Sequence, residues 1–79
     1  MRVQAQYYGA LRARLARDAD WLDLPLGGTA RDLGRVATAG LGPEWLAALR
    51  FAVNDALAPA DRALAEGDRV ALLPPMSGG

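Results

Sequence analysis

The sequence predicts a small α+β domain, a few strands with a helix packed across one face, on three observations. Both ends of the chain read as strands of period two. Val3, Ala5 and Tyr7 alternate with Arg2, Gln4, Gln6 and Tyr8, and Val70 and Leu72 alternate with Arg69, Ala71 and Leu73. Between them, Leu33, Val36 and Ala37 recur at helical spacing behind a capping signature. Finally, 79 residues allow one domain, and no linker, repeat or low-complexity stretch divides them.

Gly9 breaks the first strand, 2–8. Residues 10–17 carry Leu11 and Leu15 one turn apart among Arg12, Arg14 and Arg17, a short amphipathic helix that must dock to persist. Asp18-Ala19-Asp20 reads as a polar turn. A second strand follows over 21–25, with Leu22 and Leu24 on one face and Pro25 and Gly27-Gly28 closing it. Thr29, three residues before Asp32, makes a capping box with Asp in place of Glu, and Gly40 marks the stop of the helix it opens. Pro43 starts a third helix, whose apolar residues are Trp45, Leu46 and Leu49. Short strands at 51–53 and 56–58 flank the turn Asn54-Asp55. Residues 61–64 read as one helical turn capped by Asp61, and Gly67-Asp68 as a turn into the last strand, 69–73, which Pro74-Pro75 forbids from continuing. Trp21 and Trp45 are expected in the core or at its edge.

Composition excludes much chemistry. The chain has no cysteine, so no disulfide, thiolate metal site or cysteine nucleophile, and no histidine, the usual general base. All nine basic residues are arginine, which removes Schiff-base chemistry. Nine acids balance them, and a net charge of zero is not the footprint of a nucleic-acid binder. Apolar residues at 52% argue against wholesale disorder. Runs such as 45–49 are too short to span a bilayer, and residues 1–6 do not resemble a signal peptide, so the expectation is a cytoplasmic protein without membrane or nucleic-acid partners. Ser77, the only serine, has no histidine to activate it. The sequence around Tyr7 and Tyr8 offers no group that would activate a phenol. Asp18 and Asp20 read as a solvated turn, not a metal site, and Gly27-Gly28 lacks a phosphate-binding spacing.

What remains is the main-chain carboxylate of Gly79. Pro74-Pro75 stiffens the exit from the last strand, and Gly78 and Gly79, lacking Cβ atoms, can pass a narrow channel. A carboxylate is a poor electrophile and needs activation, for instance as an acyl-adenylate. A sulfur nucleophile then displaces AMP and leaves a thiocarboxylate, whereas an amine leaves an amide. An inert, frayed end is the alternative reading of the same residues.

Ala52-Val53-Asn54-Asp55-Ala56-Leu57, then residues 64–79 with Glu66-Gly67-Asp68-Arg69-Val70 and Pro74-Pro75-Met76-Ser77-Gly78-Gly79, resemble the C-terminal signature of MoaD-type proteins, the small sulfur-carrying subunit of molybdopterin synthase. That signature is roughly VN, L-x-x-GD-x-V and PPV-S/T-GG. Met76 replaces the valine, and Ala13 stands where the family commonly has an acid after the arginine at Arg12. The resemblance covers essentially the whole chain and is strongest in its last third.

It implies a β-grasp, ubiquitin-like fold over 1–75, a mixed sheet with helices on one face, and a flexible Gly-Gly tail over 76–79. In that fold the first and last strands run parallel at the sheet centre. It further implies that an E1-like enzyme uses ATP to adenylate Gly79, that a sulfur donor protein converts it to a thiocarboxylate, and that Pro74, Pro75, Met76, Ser77 and Gly78 thread into the large synthase subunit. There cyclic pyranopterin monophosphate receives the sulfur. The implied assembly is a heterotetramer, with Tyr8, Arg12, Leu57 and Leu73 in the large-subunit contact. No bound cofactor or metal is implied, and the chain is a carrier with the catalytic side chains in its partner. A sulfur carrier for thiazole or cysteine synthesis and a ubiquitin-like protein modifier are the alternatives.

Overall fold

The computed structural model describes residues 1–75, so the expectations for Met76, Ser77, Gly78 and Gly79 lie outside the described residues. The described elements are β1 (Arg2–Tyr7), α1 (Gly9–Leu15), β2 (Ala19–Asp23), α2 (Ala30–Ala37), α3 (Pro43–Ala47), β3 (Arg50–Val53), β4 (Ala56–Ala58) and β5 (Arg69–Leu73). They form one sheet of order β2-β1-β5-β3-β4. β1 and β5 run parallel at its centre and every other pair is antiparallel, the β-grasp arrangement.

Period two does the sorting. Val3, Ala5 and Tyr7 of β1, Phe51 and Val53 of β3, and Val70 and Leu72 of β5 all bury on one face. Leu11 of α1, Ala30 and Leu33 of α2, and Leu49 after α3 cover that face and complete a single core. The other face carries Gln4, Gln6, Ala52, Ala71, Leu57 and Leu73.

The capping box at Thr29 is present: the Asp32 N–H donates to Thr29 Oγ1 at 3.3 Å, and the Thr29 N–H to Asp32 Oδ2 at 2.9 Å. Its stripe differs from expectation. Ala30, Leu33 and Gly34 are buried, while Val36 is 46% exposed, because 36 lies about 110° from the centre of that stripe at 100° per residue. Gly34 is where the helices close on each other. A Cβ there would stand 3.0 Å from Leu46 Cδ1 and 3.1 Å from Phe51 Cε1. Nor does Gly40 end the helix. Thr38 caps it, and its hydroxyl donates to the Gly34 carbonyl at 2.8 Å.

Four further expectations are corrected. α1 stops at Leu15 because Ala16 turns into the left-handed region at φ 58°. Residues 19 and 20 are not a turn but the start of β2. Asp20 pairs opposite Ala5 on the core face, where it accepts the Tyr7 hydroxyl at 2.8 Å and Arg17 Nε at 2.9 Å. Burial, then that hydrogen bond, pushes the Tyr7 phenol up to about 12. Residues 61–64 form no helical turn. The Arg62 carbonyl accepts the Ala30 N–H and the Leu64 N–H donates to the Gly28 carbonyl, both at 2.9 Å, drawing the segment out beside Thr29. Trp21 falls on the outer face, half-exposed, because Leu22 takes the inward place opposite Val3; Trp45 does pack at the core edge.

The residues that matched a family signature at 54 and 68 act as a clamp. Asn54 Nδ2 donates to Asp68 Oδ1 and the Arg69 N–H donates to Asn54 Oδ1, each at 3.0 Å. The Ala65 N–H donates to Asp68 Oδ2 at 2.8 Å. The clamp ties the β3–β4 turn, where Asn54 and Asp55 both have positive φ, to the start of β5. The Ala65 amide, then Asn54, hold the Asp68 carboxyl below its usual 3.8. A depressed folded value means that the contribution is complete above the unfolded pKa and disappears as pH falls through the folded one. Asp68→Asn is therefore expected to lower the urea midpoint at pH 7, with the gap to the parent chain closing below pH 3.8. Midpoints measured across pH 2–7 check this; a gap that stays constant with pH contradicts it.

Candidate functional site

β1 and β5 end side by side, and the antiparallel partners put the start of β3 and the end of β4 at the same end of the sheet. There, Leu73 stands opposite Arg50, and Leu57 opposite Ala52, all on the outer face. Leu57 is 81% exposed: its neighbours across the sheet, Ala52 and then Ala71, are too small to cover it. Tyr8 continues the β1 alternation outward and is 45% exposed.

These residues surround a depression of about 720 Å³ whose walls include Tyr8, Arg50, Leu57, Leu73, Pro74 and Pro75. Three of the four side chains expected at a partner contact thus meet at the root of the expected tail stem. Arg12 does not join them. Its Nε pairs with Asp18 Oδ1 at 2.7 Å, and both side chains are largely exposed. The pair stands at the same end of the sheet, since the Asp18 carbonyl accepts the Tyr7 N–H.

Arg50 was missed from sequence. It precedes the apolar Phe51, and its alternation with that residue was the available signal. Its place beside Leu73 depends on a pairing between distant segments. Among the described residues Arg50 has no ion-pair partner, so the depression is apolar with a cation at its rim.

The surface offers recognition rather than chemistry. Tyr7, the phenol beneath it, is buried and shifted away from reactivity. Among the described residues, no three carboxylates are grouped to hold a metal ion, and no helix is long and apolar enough to cross a membrane. Exposed apolar side chains gathered around a cavity fit a protein partner.

The ThiS family matches over residues 5–79. No curated protein sequence matches the chain. Among solved structures, SAMP1 from Haloferax volcanii superposes with a TM-score of 0.81 at 21% identity, covering 100% of both chains, a likeness of fold. A putative molybdopterin converting factor subunit 1 from Pyrococcus furiosus has a TM-score of 0.76 at 27% identity, covering 96% of this chain and 99% of that one. A chain of the complex of subunits 1 and 2 of molybdopterin-converting factor from Helicobacter pylori gives 0.66 at 26% identity, with 100% of both covered.

Proposed function

The chain belongs to the ThiS family, and from that premise we propose that it is the sulfur-carrier small subunit of a molybdopterin synthase. In this reading the Gly79 carboxylate is adenylated with ATP by an E1-like partner, releasing pyrophosphate. A hydrosulfide equivalent from a sulfur donor protein then displaces AMP, leaving the thiocarboxylate that delivers sulfur to cyclic pyranopterin monophosphate in the large subunit.

The observation that carries the proposal is the position of the apolar depression. Tyr8, Leu57 and Leu73 surround the root of the Pro74-Pro75 stem, so a partner docked on them meets whatever follows Pro75. The subunit 1 and 2 complex supports a large-subunit partner, since its matched chain covers this one completely. Arg50 adds a cation for an acidic group on that partner, and Arg12 offers its terminal nitrogens beyond the Asp18 contact. The carrier contributes a docking face and a reactive end, and the catalytic side chains belong to the partner.

The test is intact mass. Incubated with ATP, an E1-like enzyme and a sulfur source, the chain is expected to gain about 16 Da, one oxygen exchanged for sulfur. The charged carrier is then expected to lose that mass to precursor in the presence of the large subunit. No gain with an activating system proven on another carrier overturns the reading. Gain without discharge to the large subunit moves the chain to another sulfur pathway, such as thiazole or cysteine synthesis. Isopeptide adducts on other proteins mark it as a modifier.

A further inference from the structure

We propose that the bare Gly9 at the start of α1, together with the open cleft walled by Trp45 and Ala48, leaves the room that sets the direction in which Pro74-Pro75 leaves β5, making these positioning residues for the terminal carboxylate. The inference rests on the carrier reading above. The last ladder pair is Arg50 with Leu73, and Pro74 and Pro75 have no N–H to extend it. Beyond Leu73, side-chain packing therefore decides where the stem points.

On one flank the stem approaches α1 closely, and on the other it borders open space in front of α3. Gly9 opens α1 at φ +52°, and a Cβ built on it would stand 3.3 Å from Pro74 Cγ. On the other flank, a cavity of about 310 Å³ is walled by Ala10, Glu44, Trp45, Ala48, Pro74 and Pro75. Glu44 is its one charged wall. The two prolines thus form a ridge, with the sheet depression on one side and the α1–α3 cleft on the other. The absence of a side chain at 9 lets the ridge lie close to α1.

Geometry explains why that room matters. Pro75 lies two residues beyond Leu73, about 7 Å of extended chain, so a turn of ~20° at the root displaces it by about 2 Å. A misplacement of ~1 Å can cost about a hundredfold in rate.

The experiment uses the full chain carrying Trp21→Phe, which leaves Trp45 as the only indole. Gly9→Asn is the main variant, because asparagine tolerates a positive φ and so isolates the added Cβ from backbone strain. It is combined with Pro74→Ala, which removes Cγ. Ala48→Leu, at an exposed position, fills the cleft from the other side and guards against a folding failure at 9. Gly9→Asn is expected to shift Trp45 emission, and Pro74→Ala in the same chain to remove most of that shift. Thiocarboxylate formation is expected to fall about tenfold in kcat in both Gly9→Asn and Ala48→Leu, with KM for the carrier within about twofold, since the docking side chains are unaltered. A merely structural role would lower Tm and leave the kcat of folded protein unchanged. Additive emission changes, together with kcat within about twofold of the parent in a folded variant, overturn the positioning role. If the parent itself gains no sulfur, the carrier reading fails separately, and the emission cycle, which needs no partner, decides the positioning alone.

Discussion

Removing Gly78 and Gly79 is expected to abolish sulfur loading while leaving the fold and its docking intact. Two residues span about 7 Å of extended chain, so the new carboxylate on Ser77 stops that far short of an adenylating pocket. Set against a rate cost of about a hundredfold for 1 Å, the loss is expected to exceed 10²-fold. The deletion changes none of residues 1–75, which carry every described element, so thermal unfolding is expected to match the parent. Leu57→Asp gives the converse result. At 81% exposure its effect on stability should stay within about 0.5 kcal/mol. A charge placed among Tyr8, Leu73 and the prolines should nevertheless weaken large-subunit binding about tenfold or more. Calorimetric binding and intact mass, measured on both variants, separate the two losses. Full activity after the deletion would leave the terminus without a role.

Leu72→Ala carries the largest expected stability effect. Leu72 is fully buried and lies in the central strand β5, paired with Tyr7 on one side and Phe51 on the other. Truncating a buried leucine costs about 2–5 kcal/mol, the transfer term plus the cavity left behind. A domain of 79 residues has about 4–12 kcal/mol in total. The variant should therefore lose a large share of its stability, and at the upper end of the cost it should be substantially unfolded at 37 °C. Urea unfolding followed by circular dichroism reads the loss. A cost below about 1 kcal/mol would show that the sheet centre collapses to fill the space. The position also links stability to function, because the strand that needs Leu72 is the one that presents Pro74-Pro75.

Local patterns identified most of the fold. Alternation placed β1 and β5, Thr29 with Asp32 placed the start of α2, and Pro43 that of α3, because those signals act over a few residues. Errors clustered where a distant contact outweighed the local preference. Asp18-Ala19-Asp20 has turn composition, yet pairing with β1 draws residues 19 and 20 into β2 and gives Asp20 the Tyr7 hydroxyl. Asp61 has capping character, yet it sits in a turn closed by the Arg62 N–H on the Pro59 carbonyl, and backbone bonds to Ala30 and Gly28 draw residues 62–64 out beside Thr29. Val36 has helical spacing from Leu33, but the rotation of α2 on the sheet favours Gly34, which the core admits only because it lacks a side chain.

The site divides in the same way. Tyr8 and Leu73 could be assigned to an outer face by alternation, Leu57 to the neighbouring short strand, and the Pro-Pro stem and two glycines by inspection, since these are properties of short stretches. That the three apolar side chains share one depression with Arg50, that Arg12 stands apart with Asp18, and that Gly9 lies against Pro74 were decided by tertiary structure alone. Each depends on segments far apart in sequence meeting at one end of the sheet, or on a loop returning to a helix, and no periodicity within a single segment encodes such a meeting.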